Sequence, residues 1–272
     1  MPIAGRYHDA YPLRRFIRRD MVFELTAQAW LIAALAVLLT GISKSGFGSA
    51  LGGVAVPILS LFLPPAEAAA VMLPILCVMD GFGVRAYWRK WAGDELRVLI
   101  PGAVLGIVVG TLVFGLLSVA VLKGLIGSIA VLFSLDRLLG LRARLRWNQA
   151  PGRVAGTLWA ALSGLTSTLA HAGGPPVLVY LLGRKLDKER FIATTVVFFT
   201  AVNAAKVLPY LALGLFSRPV LGMAGCLAIL APVGVWLGVR MQKTVPERPF
   251  FYAASLMLGC SGLKLLWDAA SM

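Results

Sequence analysis

The chain alternates between long apolar runs and short polar connections, and two of the apolar runs are interrupted in the same way. Ten segments can be read: approximately 26–42, 48–63, 66–85, 96–117 and 121–139, then 152–170, 175–183, 190–212, 219–240 and 249–267. Several reach the roughly 20 residues with which a helix crosses a bilayer core. The first interruption reads Thr40-Gly41-Ile42-Ser43-Lys44-Ser45-Gly46-Phe47-Gly48-Ser49-Ala50-Leu51-Gly52-Gly53, with Pro57 beyond it. The second reads Ser163-Gly164-Leu165-Thr166-Ser167-Thr168-Leu169-Ala170-His171-Ala172-Gly173-Gly174-Pro175-Pro176. Each puts small hydroxyl residues, glycines, proline and one ionisable group inside an apolar run. Broken backbone at membrane depth is tolerated only where it is buried in protein or lines a cavity. Matched breaks in two halves point to a transporter's binding site.

The two sets of five segments correspond in order. Gly41 matches Gly164, Gly52-Gly53 matches Gly173-Gly174, Asp80 matches Asn203, and Gly106-x-x-x-Gly110 matches Gly234-x-x-x-Gly238. The pattern predicts an all-α polytopic membrane protein built from two repeats, 26–139 and 153–268. A basic arm (1–25) precedes them and a basic cytoplasmic linker (140–152) joins them. An odd number of segments per repeat inverts the second relative to the first. With the linker in the cytoplasm and each broken pair a hairpin, sixteen basic residues fall in cytoplasmic loops, against Lys123 and Arg218 in outer loops. That asymmetry follows the positive-inside rule and supports inverted repeats. The arm, with Arg6, Arg14, Arg15, Arg18 and Arg19, falls on the outside in the same walk and conflicts with it.

Composition agrees. Apolar residues make up 59% of the chain and charged residues 14%, too little polar surface for a soluble fold of 272 residues. The net charge of +14 sits in short loops and forms no basic stripe with interleaved aromatics, so no nucleic-acid partner is expected. Cys77, Cys226 and Cys260 are isolated in apolar runs and fit neither a disulfide framework nor a metal site. The Gly-x-x-x-Gly pairs read as helix-packing surfaces. The basic arm reads as an interfacial segment before an uncleaved first helix, and the tryptophans near segment ends read as interfacial anchors.

Lys44, Asp80, His171 and Lys206 lie inside segments rather than loops, with Asn203 among them. Charge in a bilayer interior is costly, so such residues face a cavity or a partner. Lys44 and Lys206 are candidate cations for an anion. Lys206 follows Asn203 by three residues on one helical face, and Pro209 beyond it is expected to kink the segment. Asp80 can pair with Lys44, Lys206 or Arg85, or carry a coupling proton. His171 can couple protons or touch substrate. The hydroxyls at the breaks can satisfy freed backbone groups or contact substrate. Glycine and proline at both breaks start new helices, with Pro175 or Pro176 suited to a first turn. The positive ends of those helices would face the interior, which favours an anion.

With these breaks, the duplicated layout and the third segments around Asp80 and Asn203, the chain resembles the TauE/SafE family of sulfite-exporter-like membrane permeases. The resemblance extends over nearly all of it after the arm, which is not part of the family pattern. It implies transport of sulfur-containing anions such as sulfite, sulfonates or sulfoacetate, driven by an ion gradient. No ATP-binding motif is present, and neither His-Glu-x-x-His nor Gly-x-Ser-x-Gly occurs. The reading is therefore a secondary transporter working by alternating access, and not an enzyme, with no cofactor, no metal and no catalytic residue. Its substrate contacts are Lys44, Ser45, Gly46, Thr168, His171, Gly173, Gly174, Asn203 and Lys206, and its coupling or ion-pair residues are Asp80 and His171. The expected partners are a small anion and the lipid bilayer, with a homo-oligomer compatible. The expected location is a cell membrane crossed several times, the bacterial inner membrane. The alternatives are an intramembrane enzyme and a non-transporting assembly subunit.

Overall fold

Backbone hydrogen bonding in an apolar solvent leaves the helix as the open-chain solution. The computed structural model describes residues 25–47, 49, 53–140, 151–244 and 247–272, and every regular element among them is a helix. Residues 1–24 of the basic arm and the linker arginines Arg142, Arg144 and Arg146 lie outside the described residues. The helices are α1 (Ala27–Gly46), α2 (Ala55–Leu59), α3 (Pro65–Ala86), α4 (Gly93–Leu116), α5 (Val119–Leu139), α6 (Arg153–Ala170), α7 (Gly174–Gly183), α8 (Lys188–Ala212), α9 (Arg218–Ala228), α10 (Ala231–Thr244) and α11 (Glu247–Ala270). Polar side chains start several of them. Thr26, Ser118, Asp187 and Ser217 each accept the N–H three residues on, as N-caps do.

Five helices, α1, α3, α4, α5 and α8, are long and apolar enough to cross a membrane, and α9 with α10 makes a sixth if that bent pair is one span. Their outer faces carry exposed leucines such as Leu105, Leu112, Leu132 and Leu208, the surface that acyl chains cover in a membrane. The exposed Trp88 and Trp267 sit near helix ends.

Two segments differ from the sequence reading. The second segment, expected over 48–63, contains among its described residues only the five-residue α2. Pro64 and Pro65 already open the next helix, and a proline cannot extend the helix before it. The fourth segment of the second half, expected as one run over 219–240, bends by 42° between α9 and α10. Pro232 has no N–H to give the preceding turn, and the chain resets there. Pro209, by contrast, is carried inside α8, which continues to Ala212.

The packing joins the two halves element by element. α1 lies along α10, α4 along α6, α5 along α11, and α3 against α8. Three of these seams bring backbone against backbone, α5 meeting α11 at Gly127 and Gly262, and the closest approaches are in the α4–α6 and α1–α10 seams. A Cβ added to Gly106 would sit 1.8 Å from the Ala161 carbonyl oxygen, and one on Gly164 2.1 Å from that of Ala103. In the other seam a Cβ on Gly46 would sit 2.5 Å from the Gly238 carbonyl oxygen, and one on Gly41 2.9 Å from Gly234 Cα. Both Gly-x-x-x-Gly pairs are thus used as small-residue contact faces. Gly106→Ala is predicted to destabilise the protein by about 1–3 kcal/mol, the usual cost of overpacking. Gly225→Ala, where an added Cβ meets nothing within 4 Å, should cost nothing. Thermal unfolding of both variants in detergent checks this.

Candidate functional site

The site begins where α1 and α6 stop. After Gly46, the Phe47 N–H reaches the Ser43 carbonyl at 3.0 Å and the Ser49 N–H reaches the same oxygen at 3.2 Å. After Ala170, the His171 N–H reaches the Ser167 carbonyl at 3.0 Å and the Ala172 N–H that of Thr166 at 3.2 Å. Both turns place a non-glycine residue in the left-handed region, Ser49 at φ +58° and His171 at φ +51°. That conformation costs an L-residue roughly 1–2 kcal/mol, and such strain concentrates at functional sites. The two breaks touch. Gly53, at φ +101°, has Ala172 2.8 Å from where its Cβ would be, so only glycine fits there. Pro175 and Pro176 then fall in the first turn of α7, as expected from their lack of a donor. The positive helix ends anticipated from both breaks reduce to one, because α2 has only five residues while α7 has ten.

Hydroxyls from other helices bind the carbonyls that the breaks release. Tyr87 donates to the Ser45 carbonyl at 2.6 Å and Tyr210 to that of Thr168 at 2.7 Å. Ser163 donates to the Gly173 carbonyl at 2.6 Å.

Two clusters, each built on a lysine, lie between the breaks. Lys44, in the last turn of α1 where the helix dipole favours a cation, places Nζ 2.7 Å from Asp80 Oδ1 on α3. Asn203 Nδ2 on α8 donates to Asp80 Oδ2 at 2.7 Å, and the Phe199 ring centroid is 5.8 Å from Lys44 Nζ. Thus Asp80 and Asn203, matched across the halves, hold each other directly. Lys206, fully buried, donates to the Ser167 carbonyl at 3.1 Å and to Ser167 Oγ at 2.9 Å, with His171 Nδ1 2.6 Å away. His171 Nε2 lies 2.9 Å from the Ala69 carbonyl oxygen. A carbonyl only accepts, so Nε2 carries the proton and Nδ1 offers its lone pair to Lys206.

A cavity of about 30 Å³ lies among these groups, with room for about two waters. Its polar lining is Thr40, Lys44, Ser49, Ser167, His171 and Asn203, with Gly53 and Gly174 from the two breaks. Met72, Leu76 and Phe199 close its apolar side. Of the predicted contacts, Lys44, His171, Gly174 and Asn203 line it. Lys206 stands behind Ser167 and His171, and Asp80 behind Lys44 and Asn203. Ser45, Gly46, Thr168 and Gly173 are outside the lining. Gly46 packs on Gly238, Thr168 lies beside Gly110, Gly173 abuts Ser163, and Ser45 meets Tyr87 through its carbonyl.

The model of the sulfite exporter TauE/SafE family matches residues 33–265. The chain belongs to the TauE/SafE family. No curated protein and no solved structure matches it. Membership makes it a multi-pass membrane protein of a sulfite-exporter-type transporter family, in keeping with its apolar helices. Among the described residues of this TauE/SafE chain, no group of three or more His, Cys, Asp or Glu is placed to hold a metal ion.

Helical spacing carried more of the TauE/SafE site than the charged residues alone disclosed. Phe199 precedes Asn203 by four residues, and Met72 and Leu76 precede Asp80 by eight and four. All three fall on the stripe that faces the cavity. Tyr87 and Tyr210 carry no such signal, because their carbonyl partners are distant in sequence.

The Lys44–Asp80 pair gives a stability test. Asp80→Ala leaves a buried ammonium without its counter-charge and is predicted to destabilise by about 3–5 kcal/mol. Lys44→Met combined with Asp80→Leu removes both charges and should recover most of that loss. Melting temperatures of the single and double variants in one detergent decide it.

Proposed function

We propose that this chain is a secondary transporter that carries small sulfur-containing oxyanions through the space between its two breaks. The observation that supports it most is the cavity between Lys44, Ser49, Ser167, His171 and Asn203, with the second lysine, Lys206, directly behind it. Donors and cations converge there in an otherwise apolar interior, which suits a group bearing several oxygens and negative charge. α7 adds the positive end of a helix at Gly174, on the cavity wall.

Lys44, Ser49, Ser167, His171 and Asn203 are all buried, so substrate entry requires the walls around them to part. The reading is alternating access, with residues 26–139 and 153–268 as inverted repeats that rock about the centre. In support, the packing is exchanged between the halves. α1 of the first half rests on α10 of the second, and α6 of the second rests on α4 of the first. The basic residues also crowd into the loops assigned to the cytoplasm. Asp80 and His171 are the proposed coupling groups, since movement of the walls would alter what each one faces. The membrane is taken to be the bacterial inner membrane.

Uptake of radiolabelled sulfite and methanesulfonate into proteoliposomes tests this, with pH and voltage gradients imposed in turn. One of the gradients should accelerate uptake. Lys44→Gln and Asn203→Ala should each lower it by about tenfold or more, equivalent to ~1.4 kcal/mol of lost stabilisation. Flux that ignores both gradients would remove the coupling. Flux unchanged by both substitutions would remove the site.

A further inference from the structure

The cavity lies on the seam where α3 of the first half meets α8 of the second, and the two ends of that seam are closed differently. Asn203 reaches Asp80, Val196 lies 3.0 Å from where a Cβ on Gly83 would be, and Tyr87 packs with Ile192 and Ala193. α3 and α8 therefore run antiparallel. Where α3 begins and α8 ends, the seal is thick. Leu169 and Ala170 of α6 and Tyr210 of α8 belong to the same hydrophobic core as Ala68 and Ala69 of α3, and that core continues through α5, α9, α10 and α11. Tyr210 is fully buried there, with the rings of Phe114 and Phe216 6.0 and 6.1 Å from its own. Where α3 finishes and α8 begins, the seal is thin. Among the described residues a separate cluster of four buried side chains covers it: Tyr87 after α3, and Ile192, Ala193 and Val196 of α8. The core that α8 shares with α4, α6 and α7 takes in no buried residue of α3. Outside the cluster, Lys90 Nζ meets Glu189 Oε1 at 2.7 Å and Lys188 Nζ the Gln242 carbonyl at 2.8 Å, both in exposed positions. Solvated ties of this kind hold little.

We infer that Tyr87 and Val196 form a gate: their end of the α3–α8 seam parts and opens the cavity to one side of the membrane, while the Tyr210 end stays sealed as the pivot. The inference deepens the transport reading and rests on it. Tyr87 and Tyr210 each hold the end of a broken helix through the hydroxyl, so the difference between them lies in what surrounds the ring. A region with few buried apolar contacts opens at lower free energy than a continuous core. The plug is also shallow. Gly83 offers no side chain, and the methyls of Val196 fill the space against it. From Tyr87 to Asp80 is seven residues of α3 and its cap, about 10 Å along the axis. Parting the seam to that depth separates Asn203 from Asp80 and brings Lys44 within reach of an arriving anion. The loops at the mouth carry Arg85, Arg89, Lys185 and Lys188, which the charge pattern assigns to the cytoplasm, and a cationic rim attracts anions.

The test is labelling by a membrane-impermeant maleimide at Leu76→Cys, on the cavity wall, in the full chain with Cys77, Cys226 and Cys260 replaced by alanine. Arg85→Cys, exposed at the end of α3, records which face of oriented vesicles the Tyr87 end occupies. Val196→Ala thins the gate and leaves the Tyr87–Ser45 hydrogen bond in place, while Tyr87→Ala removes the largest side chain of the plug. Each should raise the labelling rate of Leu76→Cys by about tenfold, from the face that labels Arg85→Cys and not from the other. Leu215→Ala, a truncation in the core at the Tyr210 end, should admit no reagent from the opposite face. If Tyr87→Ala does not fold, Val196→Ala decides the matter. Labelling that Val196→Ala leaves unchanged, labelling that enters from the opposite face, or equal entry through Leu215→Ala overturns the gate. Labelling needs no transported substrate, so the two readings fail separately. Absence of sulfite and methanesulfonate uptake overturns the transport reading, and the labelling still decides whether this end of the seam opens.

Discussion

A lysine ammonium in the interior of a membrane protein has to be answered by something, and here it is answered by Asp80. The contact at 2.7 Å joins the end of α1 to the middle of α3, and Asn203 extends it to α8. Three helices from both halves of the chain therefore meet at one carboxylate. The position of Lys44 depends in turn on where α1 stops, because the last turn of a helix is where a cation is best tolerated. The break at Gly46 and the ion pair are parts of one arrangement. The break creates the negative end that receives Lys44, and Lys44 brings α3 against it.

Breaking a helix in an apolar surrounding frees carbonyls that water cannot reach. The structure answers them with hydroxyls from elsewhere. Tyr87 from the end of α3 and Tyr210 from the end of α8 bind the carbonyls of Ser45 and Thr168, at the ends of α1 and α6. The two tyrosines occupy equivalent roles at the two breaks. They leave the hydroxyls of Ser49 and Ser167 in the lining of the cavity. Satisfying the backbone and facing the cavity are thus divided between different residues, and only the second group was placed near the breaks by the sequence itself.

Local pattern made the helical class, both breaks, the Gly-x-x-x-Gly seams and the polar residues of the centre legible in the sequence. Each depends on residue types at a fixed spacing or inside an apolar run. The helix lengths were less legible. Residues 48–63 carry no charge, yet between Gly53 and the Pro64-Pro65 pair the helix described is only Ala55–Leu59. Residues 219–240 have no charge before Arg240 to mark a boundary, and it was Pro232 that turned one run into two helices. Which of several partners Asp80 takes was open, since Lys44, Lys206 and Arg85 all suit a carboxylate. The choice depends on how α1 and α8 pack, which no single segment encodes. The same holds for Lys206, whose place behind Ser167 and His171 rather than at the cavity follows from the bend after Ala170.

The glycine seams also bear on how the chain is made. The small-residue face of α1, Gly41 and Gly46, is covered by Gly234 and Gly238, almost two hundred residues later. α1 therefore enters the bilayer long before its neighbour exists, and its narrow face must wait against lipid or against provisional contacts. α4 and α6 are consecutive but for α5, so their seam can form early. Assembly of the first break is thus among the most non-local events in the fold, and the kind that loop closure makes slow. The pocket between the breaks cannot take its final shape until α10 has been inserted, so the nascent chain is without its finished centre for most of its synthesis.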